Sequence, residues 1–178
     1  MNEQKQVTQA PALSISMLDG AVTEAYEGDP KEMVKKLNEL RATELAAELQ
    51  YRHHAYMAVS LSAPGVKGEF LEHAAQEAHH ADLLAIRIQQ LGGDPIFDPH
   101  DIAQLIEGLK LELGDPQTLE EMIAYNLKVE RRQIVLYTRM VREVGFKDPG
   151  TRRMLEDILI DSEHHAAELA DLISKKSH

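Results

Sequence analysis

Two segments of the chain place a histidine one helical turn after an acidic or polar residue. In QEAHHADLL, Glu77 precedes His80 by three residues, and in DSEHHAAEL, Ser162 precedes His165 by three residues. Residues three apart lie on one face of a helix, so Glu77 and His80 present a carboxylate and an imidazole to the same point. These groups bind divalent transition metals. The repeated segment therefore indicates a metal site, and its second copy has Ser162 in place of the carboxylate of Glu77.

Each histidine segment follows a helical stretch that carries a glutamate and, seven residues later, a tyrosine. Glu44 stands before Tyr51 in the first half, and Glu130 stands before Tyr137 in the second half. Apolar residues flank these positions at helical spacing, which predicts that they face the core. A buried carboxylate is costly unless it is paired or coordinates a metal. The candidate metal ligands are therefore Glu44, Glu77, His80, Glu130 and His165.

Composition indicates an all-α protein with one domain. The 178 residues are 43% hydrophobic and 28% charged, aromatic residues make up 4%, and there is no cysteine. Helix-forming residues are abundant and few stretches alternate apolar with polar residues, so we expect almost no sheet. The lack of cysteine excludes disulfides and thiolate metal sites and agrees with a cytoplasmic location.

Net charge and hydropathy argue against two classes of partner. The formal charge of −11 disfavours binding of nucleic acid through the general surface. No apolar run approaches the roughly 18 residues that span a bilayer, and the N-terminus lacks a signal-peptide pattern. We therefore expect neither a membrane nor a nucleic-acid partner.

Capping and helix-breaking residues divide the chain into four long helices. Asp29 with Glu32, and Thr118 with Glu121, have the spacing of capping boxes, and Pro and Gly mark the other boundaries. The predicted helices cover about 30 to 62, 66 to 91, 119 to 145 and 149 to 174.

The connection between the second and third helices is much longer than the other two. It is GDPIFDPHDIAQLIEGLKLELGDPQ, about 25 residues, which is long for a compact domain. It is long enough to travel along the bundle, with a short helix predicted at HDIAQLIEGL. The sequence therefore predicts a four-helix bundle of two antiparallel hairpins joined by one long crossover. Residues 29–178 form this bundle, and residues 1–28 are predicted to be a partly extended or mobile arm.

From about residue 30 to residue 174 the sequence resembles the ferritin-like superfamily, most closely bacterioferritins and their Dps-like relatives. The resemblance lies in LNELRATELAAELQY, EFLEHAAQEAHHADLLAIRIQQLGG, VERRQIVLY and MLEDILIDSEHHAAEL. It implies a di-iron site in which Glu44 and Glu130 are terminal ligands, Glu77 bridges the metals, and His80 and His165 bind one metal each. It also implies ferroxidase-type oxidation of Fe(II) by O2 or H2O2, for iron sequestration or protection from oxidative stress.

The chain departs from that family in three respects. Ser162 stands where a second bridging carboxylate is expected, which predicts a weak second metal or a water held by Ser162, with Asp161 and Glu48 as candidate substitutes. Bacterioferritins bind haem through a methionine just after the bridging glutamate, and Ala78 at that place predicts no haem. The short fifth helix of 24-subunit cages is missing, so we expect a homo-oligomer that is a dimer or a small cage.

Several alternatives stay open at this level. Manganese is an alternative to iron, and a di-metal oxidase or peroxidase acting on a small substrate is an alternative activity. Ser162 also fits a non-catalytic or single-metal bundle that serves assembly. Tyr51 and Tyr137 either fill the core or hydrogen-bond a nearby carboxylate. The remaining histidines are expected on solvated faces, namely His53, His54, His73, His79, His100, His164 and His178.

Overall fold

A computed structural model of the chain describes residues 20–58, 64–109 and 116–175. Over these ranges the chain forms helices and no strand, which confirms the all-α prediction. None of the described helices is both long and apolar enough to cross a bilayer. Residues 1–19 of the predicted N-terminal arm lie outside the described residues. The helices are α1 (Pro30–Met57), α2 (Pro64–Gln90), α3 (Pro99–Gly108), α4 (Leu119–Val144) and α5 (Pro149–Lys175).

Side-chain caps explain where three of the four long helices begin. Asp29 accepts hydrogen bonds from two backbone N–H groups in the first turn of α1. Thr118 and Glu121 form a complete capping box at the start of α4. At the start of α5, Asp148 accepts the backbone N–H of Thr151 at 2.9 Å. These bonds satisfy N–H groups that have no partner within the helix, so local sequence fixes the starts of α1, α4 and α5.

α2 and α4 end just before the glycines that were predicted to stop them, whereas α1 ends earlier than predicted. Gly92 has a φ of 80° and Gly145 a φ of 54°, in the left-handed region where a Cβ is costly. α1 ends at Met57, and not near residue 62. The prediction took Pro64 as the helix stop, but Pro64 opens α2, because proline is tolerated in a first turn that needs no N–H donor.

The helices pack as two hairpins, α1 with α2 and α4 with α5, and α3 of the crossover lies against α1. Two apolar clusters fill the bundle core. One cluster includes Leu37, Leu84 and Leu155, and the other includes Phe70 and Ile123. In each long helix, residues of the two clusters flank a polar stretch at mid-length. The apolar clusters therefore enclose a polar layer from both ends of the bundle.

The described part of the N-terminal segment covers one end of this bundle. A turn forms where the backbone N–H of Tyr26 donates to the carbonyl of Thr23 at 2.9 Å. Val22 and Tyr26 pack against the apolar cluster that contains Leu84. These contacts attach residues 20–29 to the helical core.

An ion pair links the two hairpins at the start of α5. Arg87 of α2 lies 2.7 Å from Asp148 through Nη2, and its Nε donates to the Thr151 hydroxyl at 2.7 Å. Burial opposes ionisation of Asp148, but hydrogen bonds from Thr151 and Arg87 outweigh burial and lower the pKa of this carboxyl. Asp148 therefore caps α5 and, as an anion, holds it against α2.

Replacing Asp148 with alanine is expected to weaken the fold substantially. The Asp148→Ala variant loses a helix cap and leaves the largely buried Arg87 without its anion, so the free energy of unfolding should fall by about 2–4 kcal/mol. Urea denaturation of the metal-free protein at pH 7 measures this. The folded-state pKa of Asp148 is lowered, so its contribution exists above the unfolded pKa and disappears as pH falls through the folded pKa. The difference between the two proteins should therefore shrink in acid.

Asp157 provides the matched control for this measurement. It pairs with Arg153 at 2.6 Å within α5, and both side chains are exposed. Asp157→Ala should change the free energy of unfolding by no more than about 0.5 kcal/mol, because exposed pairs contribute little. Equal losses in the two variants would contradict the role assigned to Asp148.

Candidate metal centre

The four long helices each contribute polar side chains to the layer between the apolar clusters. α1 supplies Glu44, α2 supplies Glu77 and His80, α4 supplies Glu130, and α5 supplies His165. Every one of these side chains is 1% exposed or less. The structure therefore brings together all five residues that the sequence predicts as ligands.

The first group of candidate ligands is Glu44, Glu77 and His80. One ligand atom of each lies within 4.8 Å of the others. His80 Nδ1 is 3.3 Å from Glu44 Oε2 and 3.8 Å from Glu77 Oε2. Ligand atoms sit about 2 Å from a transition metal and hence within about 4 Å of one another. Small movements of these side chains would bring all three ligand atoms into contact with one cation.

The second group combines Glu130 and His165 with a residue that the sequence analysis did not select. His165 Nδ1 lies 3.3 Å from Glu130 Oε1 and 3.2 Å from Glu77 Oε1. His73 contributes a third ligand atom within 4.8 Å of those of Glu130 and His165. The two oxygens of Glu77 thus face different groups, which is the arrangement of a bridging carboxylate.

The three histidines of the two groups have the same hydrogen-bonding pattern. Each bonds an oxygen through Nε2, at 3.0 Å for His73, 3.1 Å for His80 and 2.6 Å for His165. An Nε2–H that is donated outward leaves Nδ1 with its lone pair, and a metal-bound histidine is held in this way. None of the three Nδ1 atoms has a hydrogen-bond partner among the described residues. The oxygens belong, in the same order, to Glu168, Asp161 and Gln76.

Further buried polar atoms in this layer also have no hydrogen-bond partner within the described part of the chain. Buried polar groups are nearly always hydrogen-bonded, so a concentration of exceptions calls for a bound ion or water. Carboxylate oxygens next to imidazole Nδ1 atoms are the donor set that a divalent transition metal takes. The additional atoms are Glu44 Oε2, Glu77 Oε1, Glu130 Oε2, Gln133 Oε1 and Ser162 Oγ.

Three buried carboxylates give the layer a strongly negative potential. Burial lowers the pKa of His80, but Glu44 and Glu77 outweigh burial and raise it to about 11. Burial is likewise outweighed at His165, where Glu130 and Glu77 raise the pKa to about 9. Burial raises the pKa of Glu44 and of Glu130, while at Glu77 the two imidazoles outweigh burial and lower the pKa. Protons therefore balance this charge in the metal-free protein, and an incoming cation replaces them.

Tyrosines position the two terminal glutamates across the hairpins. Tyr51 OH donates to Glu130 Oε1 at 2.5 Å, and Tyr137 OH donates to Glu44 Oε1 at 2.7 Å. Burial raises the pKa of both phenols well above the ordinary value, so both stay protonated donors. Each tyrosine therefore holds the glutamate of the other hairpin.

A family model described as a ferritin-like domain matches residues 34–177. The chain belongs to the ferritin-like family. It is 28% identical over 148 residues to the DNA protection during starvation protein of Pyrococcus furiosus, covering 80% of each chain. A solved bacterioferritin-related protein of Bacteroides fragilis, described as a dodecameric thioferritin, is 30% identical with a TM-score of 0.76, over 84% of this chain and 88% of that one. A ferritin-like, diiron-carboxylate protein of Bacillus anthracis is 27% identical with a TM-score of 0.69, over 83% of this chain and 99% of that one. These comparisons confirm the predicted family.

Neither of the two residues suggested as substitutes for the missing carboxylate, Glu48 and Asp161, faces the polar layer of this ferritin-like chain as a ligand. Glu48 is 20% exposed and pairs with Arg52 at 2.9 Å. Asp161 is 51% exposed and lies against His80 Nε2, the nitrogen that points away from Glu44. Asp161 therefore orients a candidate ligand instead of replacing one.

Gln133 belongs to the polar layer and was missed by the sequence analysis. Its Nε2 donates to Glu44 Oε1 at 3.0 Å and to Glu77 Oε2 at 3.4 Å, so it ties together the carboxylates of α1 and α2. The available signal was its position three residues after Glu130, on the same face of α4.

The expectation of solvated histidines is wrong at two positions. His54 is 0% and His73 is 1% exposed, because facing helices supply hydrogen-bond partners. His54 Nδ1 lies 2.9 Å from Asn126 Oδ1, and burial lowers the pKa of His54 to about 4. Burial and the neighbouring His165 also lower the pKa of His73. His178 lies outside the described residues, and the others are exposed as expected, namely His53, His79, His100 and His164.

Divalent cations should stabilise this protein, because the ligand groups are brought together in the folded chain and not in the unfolded chain. We expect the melting temperature of the metal-free chain to rise when Co²⁺ is added. At a Co²⁺ concentration a hundredfold above Kd, each site should raise the free energy of unfolding by about 2.7 kcal/mol. Scanning calorimetry measures the rise. Glu77→Gln should lose most of it, whereas the exposed Glu72→Gln on the same helix should keep it. A melting temperature that does not change in millimolar Co²⁺ would contradict a cation site.

Proposed function

We propose that the protein is a ferroxidase-type member of the ferritin-like family that binds Fe(II) inside the bundle and oxidises it with O2 or H2O2. The observation that carries this proposal is the convergence of three buried carboxylates with imidazole Nδ1 atoms that have no hydrogen-bond partner among the described residues. Oxygen and nitrogen donors of this kind suit Fe(II). The diiron-carboxylate description of the Bacillus anthracis relative supports iron as the metal.

The five residues predicted from the sequence would hold the iron in this proposal. Glu44 and His80 would bind one ion, Glu130 and His165 the other, and Glu77 would lie between them. Each bound Fe(II) would give up one electron, so a pair would supply the two electrons that, with two protons, reduce H2O2 to two water molecules or O2 to H2O2. The protein holds the ligands in place through Tyr51, Tyr137 and Gln133, and the apolar clusters exclude bulk water.

We assign the activity to iron sequestration or protection from oxidative stress. One relative is named for protecting DNA during starvation. The formal charge of −11 opposes coating of DNA by this chain. Removal of Fe(II) together with its oxidant protects without contact to nucleic acid, which fits the charge.

Aerobic oxidation of Fe(II) tests the proposed activity. The native protein should oxidise added Fe²⁺ faster than buffer, followed by the absorbance of ferric iron. Glu77→Ala removes the carboxylate shared by both groups and should slow the reaction by about 100-fold. Glu72→Ala, at an exposed position on the same helix, should leave the rate unchanged. A native protein that is silent in this assay would favour the non-catalytic alternative.

We also propose that the chain forms a homo-oligomer. The Bacteroides fragilis relative is dodecameric. Several large apolar side chains of this bundle are exposed, and contact between copies of the chain would remove them from water. They include Leu49, Ile86, Val135, Phe146 and Ile160.

Light scattering coupled to size-exclusion chromatography measures the assembly directly. The expected mass is a multiple of the monomer mass, from a dimer up to a small cage. Exchanging the exposed Leu49 for lysine adds a charge to an apolar position on α1 and should lower the mass if this face is buried between copies. A native protein that elutes as a monomer would contradict the homo-oligomer.

A further inference from the structure

The two hairpins contribute matching residues to the metal centre. Gln76 stands four residues before His80, and Asp161 stands four residues before His165. Each of these residues hydrogen-bonds the histidine of the other hairpin, Gln76 to His165 and Asp161 to His80. The tyrosine–glutamate pairs match in the same way. Residues that break this correspondence therefore mark what is particular to one half of the centre.

Two breaks in the correspondence concern the second group of ligands. Ser162 matches Glu77, so α5 contributes no carboxylate there. His73 lies seven residues before His80, and its counterpart seven residues before His165 is the apolar Ile158. One half of the centre has thus lost an oxygen donor, and an imidazole without a counterpart lies beside it.

His73 lies buried beside the second group, with one ring nitrogen that has no hydrogen-bond partner among the described residues. Its side chain is 1% exposed, and its ring stacks on that of His165 with centroids 4.1 Å apart. Nε2 is hydrogen-bonded to Glu168 at 3.0 Å, which leaves the lone pair of Nδ1 available to a metal. Nδ1 has no hydrogen-bond partner among the described residues. A ligand atom of His73 lies within 4.8 Å of those of Glu130 and His165.

We propose that His73 is a ligand of the second metal and takes the place of the carboxylate that Ser162 does not supply. Glu168 acts as a positioning residue that fixes the tautomer and the orientation of His73. The second ion would then be held by His73, Glu130 and His165 together with the shared Glu77. This inference rests on the proposed metal centre and specifies its composition.

The exchange of a carboxylate for an imidazole has a chemical consequence. The centre keeps three carboxylates for two divalent ions, so one positive charge stays unbalanced by ligands. An imidazole binds one metal only, so Glu77 is the single carboxylate shared by the two groups. We therefore expect two binding steps of different affinity, the weaker one at the group that contains His73.

Calorimetric titration of the metal-free full-length protein with Co²⁺ tests this assignment without any turnover. The native chain should bind two ions. His73→Leu should keep the first ion at unchanged affinity and should lose the second or bind it about tenfold or more weakly. The absorbance of bound Co²⁺ should lose the contribution of the second ion. His79→Leu, at an exposed position on the same helix, should bind like the native chain.

Glu168→Gln keeps the test decisive if His73→Leu does not fold, which circular dichroism would reveal, and a double variant tests for rescue if His73→Leu does fold. Glu168→Gln changes a half-exposed residue and should weaken only the second step. Adding Ser162→Glu to His73→Leu returns a carboxylate three residues before His165 and should restore the second ion. Such a rescue is not expected if His73 merely fills space.

The outcomes separate this inference from the proposed function. A His73→Leu variant that binds two Co²⁺ ions with native affinities overturns the role of His73, and the ferroxidase proposal stands if the native chain oxidises Fe(II). A native chain that binds a single ion, or a Glu168→Gln variant with an unchanged second step, also counts against the role of His73. A native chain that binds no Co²⁺ and does not oxidise Fe(II) overturns both.

Discussion

The burial of three carboxylates in the middle of an apolar bundle is the constraint on which this structure depends. Glu44, Glu77 and Glu130 have no access to water, and charge in such a place is costly unless it is neutralised. Imidazoles, phenols and the amide of Gln133 supply part of the compensation, as the raised pKa values of His80 and His165 indicate. The oxygen and nitrogen atoms of the layer that have no hydrogen-bond partner within the described residues are the reason to regard it as a cation site, because a partly satisfied buried polar network is destabilising.

The groups that hydrogen-bond the buried glutamates and histidines lie largely on the opposite hairpin. Tyr51 holds Glu130 and Tyr137 holds Glu44, while Gln76 and Asp161 each orient the histidine of the opposite hairpin. Neither hairpin contains a complete ligand group with its supporting hydrogen bonds. Docking of the hairpins therefore creates the site, and the apolar clusters at either end make that docking favourable. Formation of the complete site therefore requires both hairpins.

The repeat also shows where the two halves have diverged. A strictly repeated centre would have a carboxylate at Ser162 and an apolar residue at His73. The observed combination keeps the number of donor groups near the second metal position while changing their charge. Glu168, which meets His73 near the surface, has no acidic counterpart, since Leu83 occupies the matching place in α2. Divergence of the two halves is thus concentrated around one of the two ligand groups.

The sequence by itself determined the helices, the hairpin pairing and the five acidic and imidazole residues of the polar layer. Those features follow from local rules, because the capping box at Thr118, the glycines at 92 and 145 and the three-residue spacing of Glu77 and His80 act within one helix. The end of α1 was misjudged because Pro64 serves equally as a stop and as a first-turn residue. Only the tertiary structure decided that His54 and His73 are buried, that Gln133 reaches two glutamates and that Asp161 supports His80. Spacing within a single helix indicates which residues share a face, but what each of these side chains contacts depends on which residue the neighbouring helix places opposite it.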